Sequence, residues 1–476
     1  MIKTSIQNLI DVLNADYTGL PIKPDASIHG VTIDSRAIVP GQAFVAIRGE
    51  RFDGHAFAAE VARNGAACII AERPVELPSD NATPVLTVNS TLDALTALAS
   101  WYRDQLSAKV IAITGSAGKT TTRSILHHVL SRFYCCHQAV KSFNNHIGVP
   151  LTILGAPVDT RMLILEIGTN HPGEIEPLAR IAKPDAACIT LIGPAHLEGF
   201  GSIENILIEK STIAAGLKPG GTLYINGDQP ELVAHAKTLG CCVITFGTTE
   251  KCDVIGTDLR SDGLTGTLTI EGTQVHVPLP GKANLMNALT VWSICRDLNV
   301  SISDFAAALA TVQPVAMRLA AETIGRATLL NDCYNANPAS MANAIDTLSK
   351  MARQKHQRPV FIAGSMGELG PASPDLHRRL GGQAAEAGIA CLLACGPFAR
   401  DIADGAIAAG LAPDACKTFE STAKLCDTLH SFVRPADIIL VKGSRSAGLE
   451  AAVERLKALL QSDADNKKTR IIGSRV

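Results

Sequence analysis

Residues 111–130 read "IAITGSAGKTTTRSILHHVL", and this stretch decides the fold. Val110, Ile111 and Ile113 form a short apolar run suited to a buried strand. Ile125, Val129 and Phe133, with Leu126 and Leu130 beside them, recur at helical spacing. Between the two lie Thr114, Gly115, Ser116, Ala117, Gly118, Lys119, Thr120 and Thr121. The glycines let the backbone turn its N–H groups toward one point, the positive end of the helix adds its field, and Lys119 supplies a mobile charge. Thr120 sets a hydroxyl where a phosphate-bound magnesium ion can take it as a ligand. The loop therefore reads as a cradle for a nucleoside triphosphate such as ATP. Its G-x-x-G-K-T spacing is two residues shorter between the glycines than G-x-x-x-x-G-K-[ST], because position 113 is Ile. A glycine-rich turn of no function is the bland alternative. The order strand, glycines, lysine, hydroxyl, helix argues against it.

The rest of the chain sets the context. At 476 residues and about 150 per domain, three domains are expected. Lys and Arg total 43 against 45 Asp and Glu, so no global charge favours nucleic acid or an anionic membrane. The short basic tail Lys467, Lys468, Arg470 reads as a solvated end. Thirteen cysteines are scattered without a C-x-x-C, which argues against zinc and for reduced, mostly buried thiols. The first residues, "MIKTSIQNLIDVLNADYTG", are amphipathic and interrupted by Asp11 and Asp16. They fit neither a signal peptide nor a membrane span, so a cytoplasmic protein with no stable membrane insertion is expected.

The expected fold class is α/β in three parts. Residues 1–85 mix short strands, the Pro40–Gly41 turn and a helix near 56–64, a small α/β domain. Residues 86–313 alternate strands and helices, predicting a central parallel sheet with helices on both faces and strands at 109–114, 161–167, 186–192 and 222–226. A β-rich insert, "DVIGTDLRSDGLTGTLTIEGTQVHVPLPG", and a helix at 284–298 follow. Residues 314–476 restart the alternation, with strands at 328–330, 359–363, 390–394 and 437–441, as a Rossmann-like domain.

Open α/β sheets place ligands at the carboxyl ends of their strands. Those ends hold the loop, Glu166 in "MLILEIGTNHPGE" and His196 in "ITLIGPAHLEGFG". A carboxylate and an imidazole beside a nucleotide can serve metal ions, although each alone is ordinary strand-end chemistry. In "GSIENILIEKSTIAAGL", Ser202 is placed to cap a helix whose apolar face comprises Ile203, Ile206, Leu207, Ile213, Ala214 and Leu217. Lys210 falls on that face. It must snorkel, pair with an acid, or lose its proton; a neutral amine can take up carbon dioxide to form a carbamate, an anionic oxygen ligand.

"ITGSAGKTTT", "SFNNHIGVPLTIL", "LEIGTNHPGEI", "GPAHLEGFGSIENILIEK", "DCYNANPASM", "GSMGELG" and "VKGSRSAGLE", in this order, resemble the muramyl ligases of peptidoglycan synthesis. The resemblance runs from Thr32 to Glu450. With "DSRAIVPGQAFVAIRGERFDGHAF", it is greatest to the member that adds D-alanyl-D-alanine to UDP-N-acetylmuramoyl-tripeptide. It implies an ATP-dependent amide ligase working through an acyl phosphate, with 1–85 holding the UDP-sugar and 314–476 reaching ATP and the dipeptide.

By the same resemblance Lys119 contacts the β- and γ-phosphates, Thr120 and Glu166 hold a first Mg2+, and His196 with a carbamylated Lys210 serves a second. Asn287 faces adenine, and Arg318 and Asp332 reach phosphate and ribose. Ser35 and Arg36 contact uridine diphosphate, Asn144 and Asn145 the muramyl substrate, and Asn335, Asn337 and Ser340 the dipeptide. Each of these polar residues has ordinary turn or capping chemistry as its alternative. The chain departs from the family at Gly281, Lys282, Ala283, Asn284, where histidine often precedes the asparagine. A monomer that opens and closes is expected.

The alternatives are a third-residue muramyl ligase or folylpolyglutamate synthase, then a P-loop phosphotransferase or a nucleotide-gated binding protein. The D-S-R segment disfavours the folate enzyme, and D-N-P-R, the signature of the diaminopimelate-adding ligase, does not occur. A phosphotransferase has no need of Lys210 on an apolar face.

Overall fold

The computed structural model describes residues 1–17, 21–49, 52–140 and 142–473, with side chains of the last helix to residue 462. The side chains of Lys467, Lys468 and Arg470 lie outside the described residues. Three sheet-based lobes follow one another along the chain. In the first, Val31–Thr32, Ala43–Val45, Cys68–Ala71 and Val85–Thr87 run parallel, with Asp16–Tyr17 antiparallel at the edge. The helix Thr91–Gln105, capped by Ser90, leads into the central lobe. Its buried Arg103 donates to Ala182 O at 2.8 Å, satisfying the last turn of a central-lobe helix.

Among the described residues the central sheet has nine strands. Lys109–Thr114 lies between Met162–Glu166 and Ala186–Ile189, all parallel, with Ile113 opposite Glu166 and Thr114 opposite Ile189. This register brings three strand ends to one level and sets the loop, Glu166 and the 190–196 segment side by side. Val110, Ala112, Leu163 and Leu165 face helices Thr91–Gln105, Gly148–Gly155 and Ile175–Ala182. Ile111, Ile113 and Ile164 face Lys119–Leu130 and Ala283–Arg296. Both faces being covered explains the continuous apolar strands. The β-rich insert is the far end of the same sheet: Val254–Ser261, Gly266–Ile270 and Thr273–Val277 are antiparallel to one another and join it along Cys242–Gly247.

In the third lobe the order is Ala320–Ile324, Ala327–Asp332, Ile438–Lys442, Pro359–Gly364, Cys391–Cys395, Cys416–Phe419, antiparallel only in the first pair. Two expectations on helix faces are corrected. The helix after the loop ends at Leu130, leaving Phe133 on the turn beyond it, 42% exposed. Ile203, the first residue after the Ser202 cap, is 49% exposed while Ile206, Leu207 and Ile213 are buried. Among the described residues no helix is long and apolar enough to cross a membrane.

Candidate functional site

The loop is shaped by two glycines that nothing larger could replace. Gly115 has φ +146°, and a Cβ there would stand 2.0 Å from Thr190 Oγ1; Gly118 has φ +85°, and its Cβ would meet Asn287 Oδ1 at 2.7 Å. The neighbouring strand end staples the loop: Ser116 N–H donates to Leu191 O at 2.8 Å, and Thr190 Oγ1 donates to Ala117 O at 2.6 Å. The helix Lys119–Leu130 starts at the lysine with no side-chain cap, leaving its first amides for a ligand. Lys119 Nζ donates to Gly115 O at 2.7 Å. Burial lowers the pKa of its amine, Glu166 opposes this, and Arg318 adds to it.

Glu166 is 1% exposed. Its Oε1 accepts from Thr120 Oγ1 at 3.2 Å and from Asn144 Nδ2 at 2.9 Å. Among the described residues its Oε2 has no hydrogen-bond partner, and it lies 3.4 Å from Arg123 Nε. A buried carboxylate with one orphaned oxygen beside a threonine hydroxyl is a donor set that fits a hard divalent cation.

The third lobe closes over this floor. Arg318 Nη2 donates to Thr120 Oγ1 at 3.3 Å, with its guanidinium 4.2 Å over the Tyr334 ring. Asn337 caps the helix Pro338–Lys355 in a reciprocal pair with Ser340, and its Nδ2 also donates to Ser116 O at 3.0 Å. It is thus both the turn residue its sequence suggests and a bridge to the phosphate loop. Asp332 accepts from Leu319 N–H at 3.1 Å and pairs with the buried Lys442 at 2.7 Å; Lys442 also donates to Asn335 O at 2.9 Å. Burial lowers the Lys442 pKa and Asp332 opposes it. A cavity of about 310 Å3 results, lined by Ser116 to Thr121, Asn144, Glu166, His196, Asn287, Arg318, Asp332, Asn335, Asn337 and Ser340. Asn287 is held by Thr122 and Asn284.

Lys210 is 1% exposed on the helix Ile203–Ser211. Burial pushes its amine well below the usual lysine range, the Lys119 charge pushes the same way, and Glu209 opposes. Glu209 is committed elsewhere: it accepts from the N–H groups of Gly173, Glu174 and Ile175 at 2.7, 3.0 and 2.9 Å, capping the helix Ile175–Ala182. Among the described residues Lys210 has no salt bridge or hydrogen bond from its side chain. A neutral buried amine is the species that can take up carbon dioxide.

Thr114, Gly115, Asn145, Lys210, Ser35 and Arg36 are not among the residues that line the cavity. Thr114 is fully buried at the strand end, and Gly115 lies next to it at the start of the loop. Asn145 caps Gly148–Gly155 through Gly148 N–H at 2.9 Å. In the first lobe Ser35 opens the 3-10 turn Ser35–Ala37, and Arg36 pairs with Asp34 at 2.8 Å on the surface. Ser142, Asn170, Tyr334 and Asn343 also line the cavity without a role from sequence. Lys442 after the last strand pairs with Asp332 and lines the cavity as well. His196, at φ +58°, bonds through Nδ1 to the Glu368 carboxylate of the third lobe. Glu368 sits in "GSMGELG", a segment noted in the sequence without a task. A second cavity of about 910 Å3 opens beside it at the carboxyl ends of the third-lobe strands.

A P-loop α/β lobe closed over by a second α/β lobe defines a nucleotide-dependent class of protein. Comparison with known families is specific. Residues 27–103 match the Mur ligase family catalytic domain, 113–295 the Mur ligase middle domain, and 317–445 the Mur ligase glutamate ligase domain. The chain belongs to the Mur ligase family. It is 34% identical to the UDP-N-acetylmuramoyl-tripeptide–D-alanyl-D-alanine ligase of Bacillus subtilis, covering 96% of this chain and 99% of that one. It is 33% identical to the ligase of the same name in Escherichia coli, over 96% and 99% of the two chains. A MurF crystal structure from Acinetobacter baumannii superposes with TM-score 0.86 at 30% identity, covering 97% and 99%. MurF ligase from Thermotoga maritima in complex with ADP gives 0.78 at 28%, covering 93% and 100%.

Proposed function

We propose that this chain is an ATP-dependent peptide ligase that joins D-alanyl-D-alanine to UDP-N-acetylmuramoyl-tripeptide in peptidoglycan precursor synthesis. The observation that carries the reading is the cavity between lobes, where a phosphate loop, a buried carboxylate with an orphaned oxygen, and Arg318 from the third lobe converge. Similarity to ligases of that name over nearly the whole chain supports the substrates.

The tripeptide carboxylate oxygen attacks the γ-phosphorus of ATP, the bond to the β–γ bridging oxygen breaks, and ADP leaves. The dipeptide amine then attacks the acyl carbon, phosphate departs, and the amine proton is lost as the amide forms. Lys119, the helix amides and Arg318 bear on phosphate oxygens as charge builds on them. Asp332 and Asn287 take the nucleoside, with Lys442 holding Asp332 in place. Asn144 and Asn145 stand toward the muramyl peptide, and Asn335, Asn337 and Ser340 toward the dipeptide. Ser35 and Arg36 offer hydrogen bonds to uridine diphosphate.

Thr120 and Glu166 would hold one Mg2+, and His196 with a Lys210 carbamate a second. Such ions neutralise the repulsion between triphosphate and carboxylate. The work divides along the chain: 1–85 for the UDP-sugar, 86–313 for ATP, 314–476 for closure and the dipeptide. A monomer working in the cytoplasm fits this reading, the cytoplasmic location being supported by the nucleotide substrates.

The test is phosphate release from ATP and Mg2+ with the UDP-linked tripeptide, with and without D-Ala-D-Ala. Sustained release needing both, with a pentapeptide product by mass, is expected. Release with neither substrate dependence nor a ligated product would overturn the reading.

A further inference from the structure

His196 and Glu368 are 172 residues apart and belong to different lobes. Four observations join them. The Glu368 carboxylate bonds to His196 Nδ1, its only side-chain hydrogen bond among the described residues. Glu198 N–H donates to Glu368 O at 3.0 Å, so the two backbones are tied as well. Leu197 packs against the third-lobe core. Gly370 comes so close that a Cβ there would stand 3.3 Å from Glu198 Cα. Both His196 and Glu368 have φ +58°, a conformation that costs a non-glycine residue free energy and persists only where surroundings impose it.

The chemistry of the pair is directional. A carboxylate only accepts, so Nδ1 carries the proton and the Nε2 lone pair is left free. Nε2 has no hydrogen-bond partner among the described residues, and the ring lines the nucleotide cavity. A carboxylate behind an imidazole is the arrangement that orients a ligating histidine and raises its basicity.

We propose that Glu368 is a positioning residue for His196: it fixes the tautomer and orientation of the imidazole, and it does so only when the third lobe rests on the central one. Lobe closure then completes the donor set as well as covering the cavity. This rests on the reading of His196 as a metal ligand above.

The test uses the full chain with a non-hydrolysable ATP analogue and Mn2+ as the probe. Binding is followed by electron paramagnetic resonance, and closure by small-angle scattering. Glu368→Ala should weaken Mn2+ binding about tenfold and lower kcat by about 10–100-fold, with KM for ATP unchanged. Glu368→Gln, whose amide oxygen can still accept from Nδ1–H, should recover most of both. The Glu368 side chain is 51% exposed, so the alanine variant should melt as wild type does. His196→Ala separates the two ideas. If it binds Mn2+ as wild type does, the ligand role fails and both readings fall. If it binds weakly while Glu368→Ala binds normally, the positioning role alone is overturned. An effect of Glu368→Ala confined to KM for the dipeptide also overturns it, making Glu368 an amine contact facing the second cavity. So does loss of closure with Mn2+ affinity unchanged.

Discussion

At the scale of single residues, the site depends on groups whose burial makes them what they are. Lys119→Ala removes the only mobile cation of the loop; kcat/KM for ATP should fall by about 100–1,000-fold, as for loss of one oxyanion donor, with the unfolding midpoint unchanged. Lys210 is the sharper case. Its neighbour Glu209 is spent on three backbone amides, and among the described residues no carboxylate forms an ion pair with the lysine. Lys210→Ala should abolish turnover, and a short carboxylic acid should restore part of it by standing in for the carbamate. Intact mass under bicarbonate should show one added carbon dioxide. Full activity of the variant without rescue would falsify the carbamate.

At the scale of elements, one helix cap and one buried imidazole carry measurable stability. Glu209→Ala leaves three amides at the start of Ile175–Ala182 without their acceptor and should cost about 1–3 kcal/mol in urea unfolding. In the third lobe His377 is fully buried, donating from Nδ1 to Ser373 O at 2.6 Å and accepting at Nε2 from Met366 N–H at 2.8 Å. Both bonds require a neutral ring, and burial lowers its pKa below the usual 6.5. The folded value being depressed, the unfolded imidazole takes up a proton below about pH 6.5 that the folded one refuses. Stability is therefore full above that pH and falls as pH drops. Urea midpoints from about pH 7.5 to about 5.5 should decline, and His377→Gln should flatten the decline.

The same scale shows what the sequence could reveal. Lys109–Thr114 and Thr222–Asn226 were legible to the residue because both faces of those strands are buried and the apolar run is unbroken. Cys136–Gln138, at the sheet edge, is only half-buried along its length, and Cys416–Phe419 mixes buried and exposed residues. Neither left a pattern. Cys242–Gly247 escaped for the same reason over its first four residues. In the site, Lys119, Glu166 and His196 were legible because strand ends concentrate chemistry. The Lys442–Asp332 and Glu368–His196 pairs were not, since each joins segments more than a hundred residues apart.

At the scale of the whole molecule, the lobes work as one device. Arg318 and Asn337 reach the loop only because the third lobe lies on the central one. Small-angle scattering should show a more extended chain without nucleotide and a compact one with an ATP analogue and the UDP-linked tripeptide. The hydrogen bond from Asn337 to the carbonyl of Ser116 has a kinetic corollary. The residue that caps an eighteen-residue helix also grips the rim of the nucleotide cradle, a contact that must break for the lobe to swing away and free ADP. Product exit rather than bond making is therefore predicted to time turnover, and kcat should fall in proportion as solvent viscosity is raised.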